Sequence, residues 1–476
     1  MHRTAFTVLF TSSLFSHSVG AFPLLLLRRL APPAFQASEP SPAPMRLAAS
    51  PENAARPLPA EAAVFAQNIM ATYGRYPITM VKGQGVKLWD STGKEYLDFV
   101  AGISTCCLGH ANPGLTAAVT EQLGKLHHVS NLYYTAEQGR LGAWLVEHSV
   151  ADKVFFCNSG AEANEAAIKL ARKHAHEKLG LGEPVIITAK ASFHGRTLAA
   201  ITATGQPKYH RGFEPLVPGF VYVDYNDAGA LERTVRRINF WGRLRGWLPG
   251  KKRRGVAAIL MEALQGEGGI RPGSRSFFAK ARALCDETGA LLMVDEVQTG
   301  VGRTGRLWGY EQLGVEPDVF TSAKALGGGV PIGAMLCKER ANVFQPGDHA
   351  STFGGNPLAC AAGLAVTAAL EREHLVENAA ARGESLRAGL RKLQAQYPGV
   401  IEDVRGWGLI NGVELSEASG LLAAPVVQAS IDEGLLLVAA GARVVRFVPP
   451  LVVSEGEVEE AVARFGKALA KAMAAR

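Results

Sequence analysis

Two residues that could do chemistry end two apolar runs of the chain. Asp295 closes the run 291–294, and Lys324, 29 residues on, follows the run 319–322 and precedes three glycines. A carboxylate at the carboxyl end of a parallel strand faces the crevice in which α/β folds bind ligands. Asp295 could instead cap the next segment, but Gly300, Gly302 and Gly305 make that segment a poor helix. Inside a fold, a carboxylate needs a cationic partner. A protonated pyridine nitrogen is one, and the pairing turns the ring into an electron sink. Lysines belong on surfaces. Lys324 at the end of an apolar strand makes sense if its amine works there, forming a Schiff base with a carbonyl and then moving a proton. A third feature is Ser159, Gly160 and Ala161, between an apolar run and a helical stretch. They offer a hydroxyl and N–H groups to an anion such as phosphate; an ordinary N-cap at Ser159 is the plainer reading. Amine, carboxylate and anion cradle together match the needs of pyridoxal 5′-phosphate, with Lys324 and Asp295 as the catalytic pair.

Such residues need a scaffold that gathers strand ends. Short apolar runs at 154–156, 185–188, 257–261, 291–294, 319–322 and 334–337 alternate with helix-length segments between residues 113 and 373. That rhythm predicts an α/β fold whose mostly parallel sheet is buried on both faces. Ahead of it, an amphipathic helix over 61–70 leads to strands over 81–89 and 95–99, with Asp-Ser-Thr-Gly at 90–93 as a hairpin turn. After residue 373 the pattern changes to a helix (376–397), strands (401–404 and 409–414), a helix, strands and a final helix from Glu455, which is a smaller α+β domain. The expected organisation is a leader and linker over 1–60, a segment over 61–112 that contributes to the small domain, a large domain over 113–373 and the small domain over 374–476. No internal repeat is visible. Residues 240–254, rich in Trp, Gly and basic side chains, could grip an acidic partner, but most charge runs are solvated and the segment reads as a loop.

The formal net charge is +7, but residues 1–50 carry +3 and residues 243–254 carry +6, leaving the remainder at −2. A nucleic-acid binder would spread its basic charge over a docking face, so no nucleic-acid partner is expected. The six cysteines show no metal-ligand spacing and read as reduced thiols, with no metal expected. The first residues hold Arg3, a short apolar stretch over 8–15, then Ser-Val-Gly-Ala-Phe at 18–22, followed by a basic, Pro- and Ser-rich stretch with almost no acid. A short apolar core with a small-residue break reads as a signal peptide, and the basic stretch behind it as a transit peptide. In series they resemble the bipartite leaders of algae with secondary plastids, with Phe22 after the signal cleavage point; a mitochondrial presequence is the alternative. Pro23, Arg28 and Arg29 interrupt the ~20 apolar residues a membrane span needs, so no membrane partner is expected for the mature chain.

Several motifs give a resemblance over roughly residues 65–475. They are Ser-Gly-Ala-Glu-Ala-Asn-Glu (159–165), Phe-His-Gly-Arg-Thr (193–197), Gln-Gly-Glu-Gly-Gly (265–269), Asp-Glu-Val-Gln (295–298), Lys324 and Ser-Thr-Phe-Gly-Gly-Asn-Pro (351–357). The chain resembles the class III aminotransferases of fold-type I, and within them the N-acetylornithine branch, through Tyr-Gly-Arg-Tyr-Pro-Ile (73–78), His-Val-Ser-Asn-Leu-Tyr-Tyr (128–134) and Thr-Gly-Gln-Pro-Lys-Tyr (204–209).

The resemblance implies that Phe193 stacks on the cofactor ring, that Asp295 pairs with the ring nitrogen, and that Val297 and Gln298 also contact the cofactor. It implies a homodimer in which Thr352 reaches the phosphate of the neighbouring site. Arg196, Glu267, Ser351 and Arg446 would bind substrate. Arg196 would hold a carboxylate as a bidentate fork, which lysine could not copy. Arg446 would pair with Glu267 until glutamate brings its α-carboxylate. The implied reaction moves the terminal amino group of N2-acetyl-L-ornithine to 2-oxoglutarate, in arginine biosynthesis. Ornithine δ-aminotransferase and glutamate-1-semialdehyde aminomutase are the alternatives, the second disfavoured by the presence of both Arg196 and Arg446. The chain departs from the family at Ala263, where proline is usual, and in its basic insertion.

Overall fold

The computed structural model describes residues 59–475. The expected leader over 1–60, but for its last two residues, lies outside the described residues. A first helix, Glu61–Asn68, buries none of its residues and touches the chain after it only lightly, with the Arg75 guanidinium 4.8 Å from the Phe65 ring centroid and Thr79 Oγ1 donating to Glu61 Oε2 at 2.9 Å. Strands β1 (Met80–Gln84), β2 (Lys87–Asp90) and β3 (Glu95–Asp98) follow as antiparallel hairpins. One strand was expected over 81–89. The structure breaks it at Gly85, whose φ of +56° lies in the left-handed region that glycine enters at little cost. The second turn forms where expected, because Asp90 Oδ1 accepts from the N–H groups of Thr92 at 2.9 Å and Lys94 at 3.0 Å.

Seven strands build the large sheet. They are β4 (Lys153–Cys157), β5 (Glu183–Ala189), β6 (Phe220–Val223) and β7 (Arg254–Glu262), then, after a short antiparallel ladder of β8 (Leu264–Gln265) and β9 (Arg271–Pro272), β10 (Leu291–Asp295), β11 (Val319–Ser322) and β12 (Gly333–Cys337). Their spatial order is β4-β12-β11-β10-β7-β5-β6, parallel among β11, β10, β7, β5 and β6, with β12 antiparallel to both of its neighbours. Six of these strands coincide with the apolar runs. The edge strand β6, Phe-Val-Tyr-Val, is not among those runs, although it is as apolar as the run at 154–156; three of its four residues are half-buried.

Both faces are covered, which is why β10 is buried throughout and β7 from Gly255 onward. On one side the helix Gly160–Glu177 sets Ala166, Ile168 and Leu170 against Ile186, Leu260, Met293 and Val319. On the other, the helices Ala228–Gly246 and Arg275–Thr288 bring Leu231, Val235, Phe277 and Phe278 into one cluster with Ile259 and Leu292. Each fully buried aliphatic or phenyl side chain contributes about 1.5–3 kcal/mol. The helix Ala228–Gly246 also corrects the first part of the loop expected over 240–254, since residues 240–246 are helical while 247–253 form turns and coil. Leu231, Val235, Ile238 and Gly242 keep a three- and four-residue spacing, so the packed face runs on into that segment.

After the helix Leu375–Gln396 come β13 (Ile401–Trp407), β14 (Ile410–Leu415), the helix Ala423–Asp432, β15 (Leu435–Leu436), β16 (Val438–Ala439), β17 (Val444–Phe447) and a last helix, Glu455–Ala474, held at its start by a capping box between Ser454 and Glu457. A second sheet has the order β13-β14-β17-β16, while β15 pairs in parallel with β3. The first and last parts of the described chain thus share a sheet. All six cysteines are unpaired, five buried and Cys106 half-buried. Among the described residues no His, Cys, Asp and Glu cluster could hold a metal, and no helix is long and apolar enough to cross a membrane.

Candidate active site

Strand register sets the centre of the site. Asp295 at the end of β10 stands opposite Glu262 on β7 and Thr321 on β11, so three polar groups form one row at the carboxyl ends of parallel strands. Lys324 lies two residues past β11 with φ +42°, a conformation that non-glycine residues adopt rarely and mostly where function demands it. It opens into a cavity of about 580 Å³, whose walls include Asp295, Ser159, Gly160, Ala161, Phe193, Arg196, Val297 and Gln298. That volume is ample for a pyridine ring and its phosphate.

Asp295 is buried and fixed by three donors. Its Oδ2 accepts from Asn164 Nδ2 and His194 Nδ1, each at 2.8 Å, and its Oδ1 from the Val297 N–H at 3.0 Å. Asn164 is oriented in turn, donating to the His194 carbonyl at 2.7 Å and accepting from Thr321 Oγ1 at 2.9 Å. Such a satisfied network holds a carboxylate in one orientation in a dry environment. His194 Nε2 has no partner. Neither Asn164 nor His194 was singled out from the sequence. Both lie inside the quoted motifs, but nothing in a polar residue says which way it points.

The opposite wall is the start of the helix Gly160–Glu177. Ser159 Oγ accepts from the Glu162 N–H at 3.2 Å, so the N-cap reading holds. The N-cap is compatible with the anion reading, since the N–H groups of Gly160 and Ala161, at the first two helical positions, have no acceptor within the helix. A Cβ on Gly160 would meet Val297 Cγ1 at 2.6 Å, so helix start and Asp295 segment are in contact. The turn from Phe193 to Arg196 is pressed onto the same helix. Gly195 has φ +134°, and a Cβ there would lie 2.8 Å from that of Ala161. These groups fit pyridoxal 5′-phosphate: amides for a phosphate, Phe193 and Val297 for ring faces, a fixed carboxylate for a ring cation and an amine for a carbonyl.

Glu262, also missed from the sequence, braces this arrangement. Its Oε2 accepts from the Phe193 N–H and its Oε1 from the Gly266 N–H, both at 3.1 Å. Burial pushes its carboxyl up to about 7; His194 and the two N–H donors oppose the rise, and Asp295 adds to it. A carboxyl whose pKa is higher folded than unfolded stabilises the fold while protonated, and that stability is lost as pH rises from the ordinary carboxylate range through about 7. Glu262→Gln is therefore expected to flatten the decline of the melting temperature of the cofactor-free protein across that window. Glu296, held up to about 7 by the same cause, supplies the slope that remains. A variant melting with the full wild-type slope would show that Glu262 does not carry this proton.

The second expected pair forms across the two sheets. Glu267 sits in the turn between β8 and β9, and Arg446 on β17. Arg446 Nη1 lies 2.7 Å from Glu267 Oε1 and donates to Gln298 Oε1 at 3.0 Å. Arg446 is buried, yet its Nε has no acceptor, so the guanidinium keeps donor capacity for a carboxylate. Although burial raises the Glu267 carboxyl, the Arg446 guanidinium outweighs it and holds the group below its ordinary range. Arg405, unread in the sequence, clamps the same turn by donating from Nη2 to the Gly269 carbonyl at 2.6 Å and from Nε to that of Ile270 at 2.8 Å. Burial lowers the Lys324 pKa, and the Arg446 charge lowers it further against the pull of Glu267, Asp295 and Glu262. More of its amine is therefore neutral, which is the nucleophilic form.

Arg196 is exposed at the mouth, its guanidinium 4.1 Å from the Tyr209 ring centroid and 5.5 Å from that of Phe193, with no carboxylate partner among the described residues. Ser351 Oγ accepts from Asn158 Nδ2 at 3.1 Å, beside the helix start. Thr352 is exposed and is not among the residues lining its own chain's cavity.

Residues 69–469 match the family described as Aminotransferase class-III. A protein of Thermosynechococcus vestitus named acetylornithine aminotransferase is 62% identical over 417 residues, covering 87% of this chain and 98% of that protein. One of the same name from a Nostoc species is 61% identical, covering 85% of this chain and 92% of its own. Among solved structures, the ornithine aminotransferase of Toxoplasma gondii superposes with a TM-score of 0.80 at 34% identity, over 87% of this chain and 95% of that one. The N-acetylornithine aminotransferase of Stenotrophomonas maltophilia gives 0.73 at 38% identity, over 87% and 100%.

Proposed function

The chain belongs to the class III aminotransferases, and we propose that within this family it moves the terminal amino group of N2-acetyl-L-ornithine to 2-oxoglutarate. Pyridoxal 5′-phosphate, the cofactor of the class, supplies the electron sink and carries the amino group between two small-molecule substrates. Ser159, Gly160 and Ala161 would hold its phosphate, Phe193 and Val297 its ring, Gln298 its hydroxyl and Asp295 its ring nitrogen. Lys324 is the group that holds and moves the proton, with its amine pre-set towards neutrality.

Substrate choice follows from the two arginines. Acetylated ornithine presents one carboxylate, far from its reacting amine, and exposed Arg196 at the mouth suits it. Glutamate adds a second carboxylate beside the amine. The observation that carries the reading is the Glu267–Arg446 pair, 2.7 Å apart with Arg446 Nε unpaired. Left closed, it is neutral towards a substrate whose amine arrives alone. Opened, it offers a guanidinium to the α-carboxylate of glutamate. The names of the cyanobacterial relatives support the acetylated substrate.

Arg446→Ala is expected to slow the glutamate half-reaction by roughly 10–1000-fold, the loss of a charge-assisted fork, while acetylornithine keeps most of its rate. Arg196→Lys should slow both. Single-turnover rates with N2-acetylornithine, ornithine and glutamate decide the matter. Equal losses on all donors in Arg446→Ala refute the switch, and a wild-type preference for free ornithine replaces the substrate while leaving the transamination intact.

The active unit of this reading is a homodimer in which Thr352 of each subunit completes the other's phosphate site. Leu132, Tyr133, Tyr134 and Phe353 support it. These large apolar side chains are exposed close to Thr352, on two loops joined by Asn131, whose Nδ2 donates to the carbonyls of Ser351 and Gly354 at 3.0 Å each. The proposed destination is a plastid, with the mitochondrion as alternative; residues 1–60 fused to a fluorescent protein would report it.

A further inference from the structure

The helix Ala228–Gly246 has two apolar faces, and the fold uses one. Leu231, Val235 and Gly242 are buried, and a Cβ on Gly242 would overlap the Arg254 backbone, so this face is pressed hard against the start of β7. Phe240, Trp241 and Leu244 are exposed on the other side. The chain stays helical through Trp247 (φ −86°, ψ −11°), and Trp247 and Leu248 are exposed as well. At ~100° per residue Phe240, Trp241, Leu244 and Trp247 leave the helix within a sector about 120° wide, centred roughly 150° from the packed face, and Leu248 follows in the bend after it. Trp247 is 82% exposed and Trp241 62%, although burying an aromatic ring is among the most favourable contacts a fold can make.

The same tip is strongly basic. Between residues 243 and 254 there are six Lys and Arg and no acid. Arg245 is neutralised by Glu183 at 2.7 Å. Exposed Arg243, Lys251 and Lys252 have no carboxylate within ion-pair distance among the described residues. The tip also points away from the chemistry, since Arg254 opens β7 and Glu262 closes it, roughly 26 Å further along the strand.

We propose that this tip docks the enzyme on an anionic lipid surface, the two tryptophans, Phe240 and the leucines entering the headgroup boundary while Arg243, Lys251 and Lys252 meet the anionic headgroups. An acidic protein would answer the charge, but it would also need a groove for five projecting apolar side chains. A bilayer interface answers both at once, because Trp settles at headgroup depth and Lys and Arg are drawn to anionic lipid. From sequence the segment read as a solvated loop and the mature chain as having no membrane partner. The helix changes that by lining up residues that sequence order scatters. Docked this way, the cavity stays open to water.

Purified holoenzyme is centrifuged with vesicles of phosphatidylglycerol and phosphatidylcholine in equal parts, and with phosphatidylcholine alone. The expected result is co-sedimentation with the anionic vesicles only, lost in high salt, with tryptophan emission quenched by brominated lipid. Neutralising each cation should weaken partitioning about fivefold, so Arg243→Ala/Lys251→Ala/Lys252→Ala loses on the order of a hundredfold. Trp241→Ala/Trp247→Ala should lose both binding and quenching. Both variants should keep wild-type transamination, which shows that they fold. The proposal is overturned if neither vesicle binds, if neutral vesicles bind equally, if the variants bind undiminished, or if the stripe instead drives lipid-free self-association that Trp241→Ala/Trp247→Ala abolishes.

Discussion

Lys324→Ala is expected to leave a folded chain whose transamination falls by roughly 10⁴-fold or more, the scale of losing a positioned proton-transfer group together with its covalent role. Lys324 follows β11 in a left-handed conformation, at the floor of the cavity, where no other lysine lines the wall. Its charge is one of several in a balanced group: Glu262, Glu267 and Asp295 pull its proton on, while burial and Arg446 push it off. Removing the amine leaves Asp295 its three donors and Glu267 its guanidinium, so the fold should survive. Borohydride reduction of the wild type, followed by peptide mapping, should find the cofactor fixed at Lys324. Attachment at any other lysine would overturn the assignment, as would substantial activity in the variant.

Asp295→Asn is expected to cost turnover about 10²–10³-fold, typical of removing one preorganised charge from a developing one, with far less effect on cofactor affinity. The phosphate cradle at Gly160 and Ala161 is untouched by the change. The variant's amide must also replace a carboxylate that only accepts. Its nitrogen would face either the Val297 N–H or the donors from Asn164 and His194. His194 could adapt by moving its proton to Nε2, which has no partner, so adaptation strands a buried donor. A lowered melting temperature should therefore accompany the loss of rate. Near-normal turnover in the variant would exclude Asp295 from holding a ring cation.

Much of the scaffold was legible because the five inner strands of the large sheet are buried over most or all of their length and therefore read as unbroken apolar runs. Lys324 and Asp295 stood out for the same reason, as charged residues at the ends of such runs. The edge strand β6 carries a comparable run, Phe-Val-Tyr-Val, that was passed over, and Gly85 hid a turn inside what read as one strand. The supports of the site were less legible. Asn164, His194, Glu262 and Arg405 act largely through distant partners, such as Asn164 with Thr321 157 positions on, His194 with Asp295 101 on, Glu262 with Phe193 69 back and Arg405 with Gly269 136 back. No local spacing announces such a contact. The helix through residue 246 was missed because its tryptophans and glycines suggested a loop, while the clue lay in Leu231, Val235, Ile238 and Gly242.

The row of Glu262, Asp295 and Thr321 has a consequence for how this chain can change over generations. Because side chains alternate along a strand, adding or deleting a single residue within β7, β10 or β11 would turn that strand's polar end residue to the other face of the sheet. Lengthening a connection at the opposite, amino-terminal edge moves nothing in the row. Changes in length should therefore be tolerated better at that edge, where the connection over residues 240–254 ends as β7 begins.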